Sequence, residues 1–120
     1  MNKYNFSLSS KRIWVAGHNG MVGSAIVRHL QSMDCKIITV ERKDLDLTRQ
    51  KDVESWIQKN KPDAIFIAAA KVGGIVANNT LPAEFLYQNM MIEANVIQSA
   101  HECDVDRILF LGSSCIYPRM

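Results

Sequence analysis

At 120 residues, 48% hydrophobic and 22% charged, the chain has the composition of one ordinary folded domain rather than a disordered, collagenous or multidomain one. A domain of this length buries roughly two-thirds of the surface its unfolded chain exposes, enough for a core without metals or disulfides. The formal net charge of +2, from 14 basic and 12 acidic residues, is too balanced for a nucleic-acid surface, which needs a concentrated basic patch.

Basic residues are concentrated early: residues 1–43 hold seven Lys or Arg against Asp34 and Glu41. That surplus fits either a solvated face or a phosphate-rich ligand. Three cysteines, Cys35, Cys103 and Cys115, show no C-x-x-C spacing, so reduced thiols in a cytoplasmic protein are expected and a metal site is not. The first apolar stretch, Ile13–Ala16, is too short for a signal-peptide core, and the longest, Ala64–Ala70, is too short for a membrane span.

Residues 1–10 read as a polar, loosely held extension, with the domain occupying residues 11–120. Ile13–Ala16 is a strand ending at Gly17. Residues 21–33 place Val22, Ile26, Leu30 and Met33 on one helical stripe. Lys36–Val40 is a β-branched strand, and Asp44–Leu47 a short extended piece. Thr48 is positioned to cap a helix that turns Val53, Trp56 and Ile57 inward and stops at Asn60 and Pro62. Ala64–Ala70 reads as a strand covered on both faces, and residues 71–80, with Gly73-Gly74 and Asn78-Asn79, as a loop.

Thr80 and Pro82 open a long helix to about Glu102, containing Phe85, Leu86, Met90, Ile92, Val96 and Ile97. It is apolar over more of its circumference than one sheet contact needs, so it faces either hidden core or a helix of a second subunit. Arg107–Leu111 is the final strand, running into Gly112-Ser113-Ser114-Cys115. Strands alternating with helices predict an α/β fold with right-handed crossovers and a doubly wound parallel sheet.

Between the first strand and first helix lies Gly17-His18-Asn19-Gly20-Met21-Val22-Gly23. In a G-x-x-G-x-x-G turn the first glycine permits the tight bend, the second admits a diphosphate to the backbone, and the third lets helix and strand pack closely. The helix amino end then offers N–H groups and a positive dipole end to the diphosphate. No G-K-[ST] follows, which excludes a P-loop. After the second strand come Glu41, Arg42 and Lys43. An acid there reads a ribose 2′-hydroxyl and a base a 2′-phosphate; two cations against one acid favour NADP(H), a solvated pair of cations being the other reading. Asp46 either accepts from an adenine amino group, with Leu47 against the ring, or serves as the acid at a helix amino end. Ser113 and Cys115 follow the carboxyl end of the last strand, the rim where open α/β sheets bind ligands. There a serine can hydrogen-bond a substrate oxygen, and a thiol can act as acid or base or simply be buried.

Four segments carry a more specific resemblance: Gly17–Ala25, Ala68–Asn79, Tyr87–Ile92 and Leu111–Pro118. Over residues 11–118 the chain resembles the amino-terminal part of the GDP-L-fucose synthase family, within the extended short-chain dehydrogenase/reductase superfamily. The resemblance implies part of a Rossmann-type domain, with the substrate domain absent. It also implies an NADPH-dependent oxidoreductase and isomerase in which a GDP-4-keto-6-deoxy-D-mannose ketone is flanked by two epimerised carbons and is then reduced. By matched position Ser113 resembles the active-site serine and Cys115 the epimerisation base. The glycine turn, Arg42, the strand end including Ala69, Ala70 and Lys71, and Leu111–Ser114 resemble the cofactor walls. A homodimer is implied for the family, with a GDP-sugar as substrate.

Two departures stand out. Relatives often place an arginine where Asn19 stands. The family's Y-x-x-x-K pair does not occur within these residues, because Tyr4 and Tyr87 are followed four places on by Leu8 and Met91. His18, His29 and His101 do not match the family's acid and read as local structure. A chain of these residues alone is therefore expected to lack turnover, to be marginally stable or to self-associate. The competing readings are a non-catalytic dinucleotide-binding module and another nucleotide-sugar epimerase or dehydratase.

Overall fold

A computed structural model describes residues 6–69 and 82–111. The chain runs β1 (Arg12–Ala16), α1 (Met21–Leu30), β2 (Lys36–Ile38), α2 (Gln50–Asn60), β3 (Ala64–Ile67), α3 (Pro82–Glu102) and β4 (Arg107–Phe110). The strands form one parallel sheet in the order β2-β1-β3-β4. From β1 the chain winds outward to β2, then returns past β1 to β3, so the winding direction reverses between β1 and β3. This is a Rossmann-type arrangement, as the resemblance implies, built on the doubly wound parallel sheet that alternation predicts.

Alternation along β1 divides the core. Ile13 and Val15 pack with Leu30 and Ala64 on the α1 side, while Trp14 and Ala16 pack with Ile57, Ile67 and Val96 on the side of α2 and α3. Trp14 and Trp56 sit with ring centroids 4.4 Å apart at 40°. Phe6 and Leu8, from the extension, lie against the α1-side cluster. The base of the sheet is tied by polar groups. The Arg12 guanidinium donates to the Asn60 carbonyl at 2.9 and 2.7 Å, and the Arg12 N–H donates to Asp63 Oδ2 at 2.8 Å.

Several boundaries differ from the sequence expectations. α1 stops at Leu30, short of Met33, and its inner face runs through Gly23 and Leu30 with Ile26 and Val27 at its margin; Val22 and Met33 are exposed. The contact of Gly23 with the preceding turn rolls the helix one position away from the Val22 stripe. β2 ends at Ile38. Asp44–Leu47 is not a strand, because the amides of Asp44 and Leu45 both donate to the Glu41 carbonyl and close a turn. Thr48 does not cap α2: its hydroxyl donates to Asp46 Oδ1 at 2.7 Å, and Arg49 occupies the cap position without a side-chain bond. α2 ends as expected at Asn60, with Lys61 in the left-handed conformation (φ 48°, ψ 60°). Of the expected strand over Ala64–Ala70, β3 takes Ala64–Ile67, Ala68 and Ala69 follow outside the strand, and Ala70 lies outside the described residues. The 71–80 loop and Thr80 lie outside the described residues.

Candidate functional site

At the carboxyl ends of β1 and β3, where the winding reverses, the sheet opens into a groove. Its walls are the glycine turn, Val40, Arg42 and Leu45–Leu47, Ala68–Ala69 and Ile92 of α3, with Trp14 at its floor. Open α/β sheets bind ligands at such a reversal because two loops diverge there and leave a crevice.

The three glycines have separable roles. Gly17 has φ +92°, and a Cβ there would lie 2.6 Å from the Ala69 nitrogen, so the turn and the end of β3 touch backbone to backbone. A Cβ on Gly23 would overlap the Gly17 carbonyl oxygen. Both positions are therefore closed by the protein itself. At Gly20 a Cβ would meet only the Gly17 oxygen, at an ordinary 3.6 Å. No neighbour within the described residues requires glycine there, which leaves the space to a ligand. Gly20 also precedes α1 without any side-chain cap, and the first turn of α1 holds no acidic residue. The positive helix end is left for an external anion.

Beyond β2, Glu41 is fastened to the glycine turn. Asn19 Nδ2 donates to Glu41 Oε2 at 3.0 Å, and His18 Nε2 lies 3.3 Å from Glu41 Oε1. Arg42, the next residue, lines the groove. Asp46 also lines it while Oδ1 accepts from the Thr48 amide and hydroxyl. The Leu47 carbonyl is held from α3 by Nδ2 of Asn95, a buried side chain, at 2.9 Å.

Among the residues expected in the site, Gly17, His18, Asn19, Gly20, Arg42, Asp46 and Ala69 are brought together on the groove. Gly23 stands behind it as a packing residue. Met21 and Val22 point to solvent and are exposed, and Lys43 is exposed outside the walls. Leu111 extends the sheet, its amide donating to the Ile67 carbonyl at 3.2 Å, and so reaches the rim on which Gly17 sits. Ala70, Lys71, Gly112, Ser113, Ser114 and Cys115 lie outside the described residues. Ile92 and Asn95 were not singled out for the site. A polar residue three places after Ile92 within the apolar stripe of α3 is the signal that could have found Asn95.

Comparison with known proteins agrees with this geometry. The model of the NAD dependent epimerase/dehydratase family matches residues 13–120. A GDP-L-fucose synthase of Sinorhizobium fredii is 60% identical over 114 residues, 95% of this chain and 36% of its own length. The GDP-L-fucose synthase of Escherichia coli is 52% identical over 114 residues, 94% of this chain and 36% of its own. Among solved structures, a GDP-mannoheptose C4 reductase from Campylobacter jejuni with NADP bound superposes with a TM-score of 0.85 at 34% identity. That match covers 95% of this chain and 36% of the reductase. The chain thus spans about a third of the length of the relatives it matches.

Proposed function

The chain belongs to the NAD-dependent epimerase/dehydratase family, and from that premise we propose that residues 11–120 form the NADP(H)-binding part of a GDP-L-fucose synthase. The observation that carries this reading is Gly20: a backbone position with room for a methyl group, standing at an uncapped helix end on the groove. Such a cradle fits a pyrophosphate.

In this reading the backbone around Gly20 and the amino end of α1 receive the pyrophosphate. Arg42 faces the 2′-phosphate, with Lys43 adding positive charge nearby, and Asp46 accepts from the adenine amino group. Ala68 and Ala69 line the groove beside the turn. When bound, the reduced nicotinamide supplies hydride to a carbonyl. Ser113 holds the substrate's ketone oxygen, and Cys115 takes a proton from a carbon next to that ketone, which the carbonyl has acidified. Their support is positional: Leu111, two residues before Ser113, continues β4 at the carboxyl edge of the sheet, the edge on which the groove opens. The substrate is GDP-4-keto-6-deoxy-D-mannose, the setting is the cytoplasm, and the full-length protein is a homodimer. Leu86, Tyr87, Met90 and Ile97 on α3 remain exposed and support that pairing. Among the described residues no helix is long and apolar enough to cross a membrane.

Calorimetric titration of the chain with NADPH is expected to show saturable binding. A folded chain that takes up neither NADPH nor NADH overturns the reading. Because no Y-x-x-x-K occurs within residues 1–120, these residues alone are expected to bind cofactor without consuming it when the keto sugar is added. Steady turnover would place the proton donor among the residues present.

A further inference from the structure

We propose that Glu41 sets the cofactor choice of this chain, allowing NADH to bind alongside NADPH. The inference rests on reading the groove as a dinucleotide site and deepens it at the ribose end. Glu41 follows β2 directly before the groove-lining Arg42, where an acid reads a 2′-hydroxyl and a base a 2′-phosphate. It is held there by two successive residues of the glycine turn, Asn19 at 3.0 Å and His18 at 3.3 Å, one on each carboxylate oxygen. A carboxylate has about four lone-pair sites, so these contacts orient Glu41 and leave acceptor capacity for a ribose hydroxyl.

Arg42 enters the groove from the adjacent position. The ribose edge therefore meets a carboxylate and a guanidinium together. A 2′-hydroxyl gains a charged acceptor from Glu41. A 2′-phosphate gains Arg42 and is opposed by the nearby carboxylate charge. The amide of Asn19, turned to Glu41, adds no positive charge to offset that repulsion. The two effects oppose one another, which narrows the difference between the cofactors.

The test is calorimetry with NADPH and NADH on the chain and on Glu41→Gln and Arg42→Gln. For the unsubstituted chain, dissociation constants within about tenfold of each other are expected, the scale of one charged hydrogen bond. Glu41→Gln removes the repulsion while keeping the side chain's shape, and is expected to shift the ratio toward NADPH by about tenfold, mainly by tightening NADPH. Arg42→Gln shifts it the opposite way. Binding of both cofactors with a ratio unchanged by Glu41→Gln overturns this inference and leaves the proposed function standing. Binding of neither cofactor removes both.

Discussion

A methyl group on Gly23 would overlap the Gly17 carbonyl, and one on Gly17 would strike Ala69 at a φ of +92°, whereas Gly20 has room. Gly23→Ala and Gly17→Ala are therefore expected to destabilise the fold by about 1–3 kcal/mol through overpacking, read as a lowered melting temperature. Gly20→Ala is expected to keep the melting temperature and to weaken NADPH about tenfold by denying the pyrophosphate its close approach. The packing roles of Gly17 and Gly23 were legible because the glycine motif encodes local backbone geometry. The partners of Glu41 were not, since a 23-residue separation from His18 says nothing of which side chains meet. Cys103 carries a further expectation. Burial first, then Glu54, Glu102 and Asp104, raise its pKa above the ordinary thiol value. The folded state thus favours the protonated thiol. Its contribution to stability is complete below the ordinary value and is lost as pH rises through the raised one. Alkylation of Cys103 followed against pH is expected to inflect above 9.0.

Two element boundaries invite tests. Lys61 ends α2 in the left-handed region, which disfavours a residue with a Cβ, so Lys61→Gly is expected to raise stability by about 1 kcal/mol in denaturant unfolding. Asn95 reaches from α3 to the Leu47 carbonyl, fixing the segment beside the groove. Asn95→Ala strands that carbonyl and is expected to cost about 1–3 kcal/mol; NADPH binding should weaken with it. The helices themselves were legible from periodicity, and α3 appears with its expected start and end. The inward face of α1 was legible in part: Ile26 and Leu30 of the expected stripe meet the core while Val22 and Met33 are exposed, because a period specifies spacing, while the roll of the helix is set by the contact of Gly23 with Gly17. Thr48 was misjudged as a cap for a related reason: its hydroxyl has a nearer acceptor in Asp46.

Across the molecule, the parallel order of strands was legible from alternation, because right-handed crossovers admit few other arrangements. The exposed edge was foreseen too. Ile108, Leu109 and Phe110 on β4 are all more than a third accessible, an apolar edge strand of the kind that pairs with other chains. Residues 1–120 alone are expected to sediment as concentration-dependent oligomers, and Leu109→Lys to shift them toward monomer. A monodisperse monomer of the unsubstituted chain would contradict this. The floor of the groove has its own consequence. The chain contains two tryptophans, and both belong to the tilted pair of Trp14 and Trp56, so all indole emission originates at the floor of the groove or next to it. Reduced nicotinamide absorbs light at the wavelengths indole emits, so docking should dim that glow through energy transfer, giving the protein an intrinsic optical gauge of its own occupancy.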